Sequence, residues 1–111
     1  MFKIPLKPLS VNDCWRGGRR FNTKEYIQYN RDCSWFLNSK IFYFKGEIEI
    51  IYKFYINNYS RTDVGNLEKP LTDILVKNKV IADDRYVKRI TLEKFKSKEE
   101  YIEIEIKSFN N

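Results

Sequence analysis

The sequence has no histidine, and of its 111 residues only Cys14 and Cys33 are cysteine. Without histidine, Ser-His-Asp and Cys-His catalysis are excluded. Two thiols alone also fall short of a structural zinc site within one subunit, which takes four ligands. Any chemistry must rest on carboxylates, on lysine, or on a metal held by oxygen. Nothing suggests a disulfide framework. Cys33 falls on a helical apolar stripe and reads as a small core residue, whereas Cys14, beside Trp15, reads as a free thiol. No apolar run approaches membrane-spanning length, and Met1 to Leu9 is too short and too proline-interrupted for a signal peptide. Repeats and long linkers are missing as well. The expectation is one reduced, cytoplasmic domain over residues 1–111, with no membrane contact.

Positive charge and aromatic residues are abundant. The formal net charge of +6 favours a polyanionic partner, nucleic acid first. The alternative is a basic surface that only keeps the protein soluble. Hydrophobic residues make up 42%, which is enough for a core, and aromatics 16%. The aromatics are mostly Phe and Tyr spread along the chain, which fits packing better than a single stacking platform.

The pattern predicts a β-α-β-α-β-β order. Phe2 to Leu6 reads as a short strand and residues 10–22 as a loop, with Thr23 as the N-cap of a helix from Lys24 to about Lys40. In that helix Tyr26, Tyr29, Cys33, Phe36 and Leu37 recur at helical spacing. Glu47 to Ile56 alternates, with Ile48, Ile50, Tyr52, Phe54 and Ile56 on one face. A second helix runs from Asn66 or Lys69 to about Asn78 on Leu67, Leu71, Ile74 and Leu75, with Pro70 restricted to its first turn. Val80 to Asp84 reads as an extended link, and Tyr86 to Lys96 with Tyr101 to Lys107 as a hairpin around Ser97 to Glu100. The expected fold is α+β or α/β, a mixed and mainly antiparallel sheet with two flanking helices.

The chemistry concentrates in Arg61 to Val87. Asp63, Asn66, Lys69 and Asp73 are spaced by three, three and four, which places them along one helix face opposite the leucine stripe. Asp83 and Asp84 follow, and in an extended link only one of them faces the site. Clustered carboxylates on a basic protein suit magnesium, which takes oxygen ligands and keeps several waters. A nearby Lys69 suits the charge that develops on a phosphate. A plainer reading also stands. Asp63 caps the second helix, Lys69 and Asp73 form an exposed ion pair contributing about 0.3–0.5 kcal/mol, and Asp83-Asp84 is an ordinary turn.

The segment resembles the RusA family of Holliday junction resolvases, common in phages and prophages. The family pattern is approximately D-x-D-N-x-x-K-x-x-x-D, a short gap, D-D-x-x-V, and a lysine seven residues later. Asp63, Asn66, Lys69, Asp73, Asp83, Asp84, Val87 and Lys94 fall in register with it. Pro5 to Asn12 and Thr23 to Tyr26 resemble the family's first part more loosely. The resemblance implies a homodimer that binds four-way junctions and makes paired cuts, with Mg²⁺ or Mn²⁺ as cofactor. It makes Asp63 and Asp84 the metal ligands and Lys69 the essential lysine, with Asn66, Asp73 and Asp83 in support.

One position departs from the pattern. Gly65 stands where the family has its second aspartate. Three consequences are open: Glu68 or Asp73 completes the site, junction binding is kept without cleavage, or the substitution inactivates the protein. A regulatory DNA-binding role in a mobile element is a further alternative. A glycine kept for a positive φ would be a separate reason for residue 65. The loop from Arg16 to Lys24 is the candidate DNA contact, through Arg16, Arg19, Arg20 and Lys24, with Gly17 and Gly18 allowing close backbone approach. A merely solvated loop is the alternative.

Overall fold

In a computed structural model, which describes residues 1–18, 21–37 and 43–109, the sheet is organised around one strand. That strand, β4 (Ile48–Ile56), alternates buried and half-buried residues along its whole length. Its inward side chains Ile48, Ile50, Tyr52 and Phe54 are fully shielded from solvent. The other members of this sheet are β1 (Phe2–Ile4), β5 (Val87–Lys96) and β6 (Tyr101–Ser108), in the order β1-β6-β4-β5. β6 runs antiparallel to both β1 and β4, while β5 runs parallel to β4. The sheet is thus mixed and mainly antiparallel, in an α+β domain.

The expected hairpin of the last two strands does not form. β5 and β6 lie on opposite sides of β4, and residues 97–100 cross over its end, where the Ser97 N–H donates to the Ile56 carbonyl at 2.9 Å. The cause lies upstream. Parallel strands need a crossover connection, and helix α2 (Gly65–Lys77) supplies it between β4 and β5. With β5 on one edge of β4, β6 takes the other and lies between β4 and β1.

α2 starts one residue before Asn66, and Pro70 lies beyond its first turn without supplying an N–H to the Asn66 carbonyl. Leu67, Leu71, Ile74 and Leu75 are buried as expected. The helix ends in a left-handed residue, Lys79 at φ 60°, with the Val80 N–H donating to Leu75 and the Lys79 N–H to Val76. This reverse turn satisfies the last carbonyls and sends the chain back along the helix.

α1 (Lys24–Leu37) is opened by Thr23, whose hydroxyl oxygen accepts the Tyr26 N–H at 3.1 Å. The predicted continuation towards Lys40 lies outside the described residues. Within the segment expected to be a loop, β2 (Trp15–Arg16) and β3 (Phe21–Asn22) pair into a small second sheet. Strands of two residues are too short to leave a periodic signal. The Cys14 thiol is fully buried and donates to the Ser10 carbonyl, and burial pushes the Cys33 thiol up to about 12. No described helix is long and apolar enough to cross a membrane.

Candidate functional site

Asp63 ends the connection between β4 and α2. Its Oδ1 accepts the Gly65 N–H at 3.0 Å and its carbonyl accepts the Asn66 N–H at 3.0 Å. Asp63 therefore holds the first N–H of α2 with one carboxylate oxygen, while Oδ2 takes no part in that bond. With Asn66 it lines a cavity of about 590 Å³ that also meets Lys7 and Arg61.

Lys69 sits one helical turn further on. Its Nζ lies 3.0 Å from Asp73 Oδ1 and 3.3 Å from Asp84 Oδ2. Asp84 reaches it because the chain turns back after α2 and then enters a 3₁₀ turn, Asp84–Tyr86, rather than staying extended as expected. Asp83 caps that turn through Oδ1, which accepts the Arg85 N–H at 3.1 Å. This backbone bond is the main reason its carboxyl lies below the usual aspartate range. Hydrogen bonding to Asp73, then the charge of Asp73 and the contact with Asp84, hold the Lys69 ammonium above its ordinary pKa despite partial desolvation.

A second cavity, of about 260 Å³, lies beside this cluster and is lined by Glu68, Lys69, Thr72, Asp84, Val87 and Ile90. The carboxylate of Glu68 is tied to the core. The Thr72 hydroxyl donates to Glu68 Oε2, and the fully buried Tyr52 hydroxyl lies 2.8 Å from Thr72 Oγ1. A hydroxyl has one proton, so Tyr52 donates to Thr72 and Thr72 to Glu68. Burial and the Glu68 and Asp73 charges keep the Tyr52 phenol neutral far into the alkaline range.

The sequence pattern of the family described as endodeoxyribonuclease RusA matches residues 5–107, nearly the whole chain. The chain belongs to the RusA family of Holliday junction resolvases. No curated protein matches it.

The RusA motif is divided between two cavities. Lys69, Asp73 and Asp84 come together, while Asp63 and Asn66 line the larger cavity. The helical spacing holds for Asn66, Lys69 and Asp73, but Asp63 precedes the helix. Among the described residues, no three acidic or cysteine side chains are placed to hold a metal ion by themselves. The donors present are hard carboxylate oxygens, which fit magnesium held by one or two carboxylates and completed by substrate phosphate, not an all-protein cage.

At Gly65 the backbone is not in the left-handed region, so the conformational reason for a glycine does not apply. A Cβ built there meets only Asp63 Oδ1, at 3.4 Å. The aspartate of the RusA pattern would thus fit next to the Asp63 carboxylate.

Of the proposed DNA contacts, Arg16 lies exposed on β2 and Lys24 exposed at the start of α1. Arg19 and Arg20 lie outside the described residues. The Tyr52-Thr72 pair is not evident from periodicity or motif. Its signal was a threonine on the buried face of α2, where only a partnered hydroxyl is stable.

Proposed function

We propose that this protein resolves four-way DNA junctions as a metal-dependent endonuclease and acts as a homodimer. The observation that carries this reading is the contact between Lys69 and Asp84, which joins two parts of the RusA motif that are distant in sequence. Asp63 and Asp84, which line different cavities, would each contribute a carboxylate to Mg²⁺ or Mn²⁺ completed by substrate phosphate, with Glu68 a further carboxylate at Asp84's cavity. When bound, the ion supplies charge neutralisation at the scissile phosphate and activation of the attacking water.

The chain's own residues have separable tasks. Lys69, held protonated between Asp73 and Asp84, presents a fixed positive charge to the phosphate and can stabilise the charge developing on it. Asp73 orients that ammonium from the next turn. Asp83 caps the turn that presents Asp84. Arg16, Arg19, Arg20 and Lys24 hold the DNA backbone outside the site. Two copies suit the reaction because a junction has near-twofold symmetry and paired cuts need two sites.

A second reading has its own support. Gly65 removes a carboxylate beside Asp63, and Lys69 already occupies Asp84, so a junction-binding protein without cleavage also fits. Incision of a synthetic four-way junction, measured against Mg²⁺ and Mn²⁺ concentration with linear duplex as control, separates the two. Metal-dependent paired cuts support resolution. Tight junction binding without cuts at any metal concentration supports the second reading.

A further inference from the structure

In β5 the register with β4 pairs Ile50 with Ile90, Tyr52 with Leu92 and Phe54 with Lys94. Parallel partners share a sheet face, so Lys94 takes a core-face position where the strand's own pattern calls for an apolar residue. Its stem is half-buried and its ammonium emerges at the turn that leads to Asp63. There Nζ donates to the Tyr59 carbonyl at 2.7 Å and to the Thr62 carbonyl at 2.9 Å, and it lies 4.3 Å from the centre of the Tyr59 ring.

The turn has few other ties. The Thr62 hydroxyl donates to the Asn58 carbonyl at 2.6 Å, a bond local to the turn itself. Asn57, at its start, is anchored by the Glu100 carboxylate. Among the described residues, Lys94 is the one side chain from outside the turn that hydrogen-bonds a carbonyl between Tyr59 and Thr62, and no carboxylate pairs with it. A lysine whose ammonium is spent on two neutral carbonyls and an aromatic face is unusual for a surface ion-pair partner. It is suited to fixing backbone.

We infer that Lys94 is a positioning residue for Asp63. It locks the turn Tyr59–Thr62 onto the sheet, so that Asp63 enters α2 with its carboxylate set by the Gly65 N–H. The inference rests on the proposed role of Asp63, but its first readout does not depend on cleavage. Misplacing a reacting group by about 1 Å can cost 10²-fold in rate, so a loosened turn should act on the chemical step.

The test compares Lys94→Met, which keeps the stem and removes the ammonium, with Lys94→Arg and with Asp63→Asn. Amide hydrogen exchange over residues 59–66 should quicken by roughly tenfold in Lys94→Met while β4 exchanges as in the wild type. In Lys94→Arg it should stay closer to wild type, since a guanidinium can still donate to both carbonyls. Asp63→Asn should leave the turn between Tyr59 and Thr62 protected. Where the wild type cuts, Lys94→Met should lower the single-turnover rate by roughly 10–100-fold with junction affinity within about twofold. Unchanged exchange in a folded Lys94→Met protein overturns the inference, whatever happens to cleavage. So does a loss confined to junction affinity, which would make Lys94 a DNA contact. If the wild type does not cut, the exchange result alone decides. If Lys94→Met unfolds, Lys94→Gln carries the same comparison.

Discussion

Lys69 Nζ stands 3.3 Å from Asp84 Oδ2 and 3.0 Å from Asp73 Oδ1, so one ammonium bridges a carboxylate of its own helix and one from the returning chain. The bridge keeps the lysine charged. Its pKa in the folded protein is above the ordinary 10.5. The contribution of this pairing to stability is therefore fully present below that value and is lost only as pH rises through the higher folded one. Lys69 is a fixed cation, not a base, at neutral pH. The pH-rate profile of cleavage should show no alkaline decline from this group up to about pH 9.5. Lys69→Ala should stop cleavage, with a modest loss of junction affinity from the missing charge. A Lys69→Ala protein that cuts normally would remove the lysine from the mechanism.

Asp63→Asn and Asp84→Asn should each abolish cleavage and leave junction binding intact. An asparagine at 63 still offers an oxygen to the Gly65 N–H, so the helix start survives while the charge is lost. At 84 an amide keeps the shape but weakens the hold on Lys69. Calorimetric titration with Mn²⁺, run beside the junction-cutting assay, checks both. Normal cutting by either variant would refute the metal role.

Tyr52→Phe should cost about 1 kcal/mol in denaturant unfolding, the usual net worth of a buried hydrogen bond. Thr72→Val should cost at least as much, because it leaves the fully buried Tyr52 hydroxyl without its partner. If Glu68 contributes at Asp84's cavity, Thr72→Val should also raise the metal concentration needed for cleavage, while Tyr52→Phe should do so less. Equal metal requirements in all three proteins would leave the network a purely structural device.

Local features were legible in the sequence and pairings were not. β4 was readable because five side chains alternate onto one face, and α2 because its leucines recur at helical spacing. Thr23 was readable as a cap because its type and place before a helical pattern allow little else. The β5-β6 hairpin was an error of partner choice. A four-residue connection normally joins neighbours, and periodicity carries no record of β4 lying between them. The site shows the same division. Asp63, Asn66, Lys69 and Asp73 stood out by their spacing and the rest of the motif by its resemblance to the RusA pattern, but the meeting of Lys69 with Asp84 depends on a left-handed Lys79 that reverses the chain, and lysine gives no such signal. Lys94 was visible as a motif position, but its work on the carbonyls of Tyr59 and Thr62 was not.

Junction binding should weaken steeply with salt and prefer branched over linear duplex. Counterion release sets the slope and junction shape sets the preference. Replacing Arg19 and Arg20 together by alanine should lower affinity for all DNA forms and reduce the slope of log affinity against log salt by roughly 2. Arg16→Ala, at the exposed end of β2, should act in the same direction. Filter binding or fluorescence anisotropy at several salt concentrations measures both quantities. Unchanged affinity in the double variant would return this loop to a solvated surface.

Gly65→Asp should restore the carboxylate that the RusA pattern has at this position. The backbone at Gly65 needs no left-handed conformation, and a Cβ meets nothing nearer than Asp63 Oδ1 at 3.4 Å. An aspartate can therefore be built without backbone strain. In the first turn of α2 its charge also faces the positive end of the helix dipole, worth about 0.3–1 kcal/mol at an exposed position. Against this stands repulsion from Asp63, which should appear without metal and vanish with it. The variant should thus unfold near the wild-type temperature in chelator and gain stability on adding Mg²⁺ or Mn²⁺, more than the wild type does. Cleavage should rise, and its metal requirement should fall. Wild-type cleavage, by contrast, should need high metal and favour Mn²⁺. Cutting by the wild type that saturates at low Mg²⁺, with no change in Gly65→Asp, would mean that the missing carboxylate is already replaced, and Glu68→Gln would then be the variant that loses metal affinity.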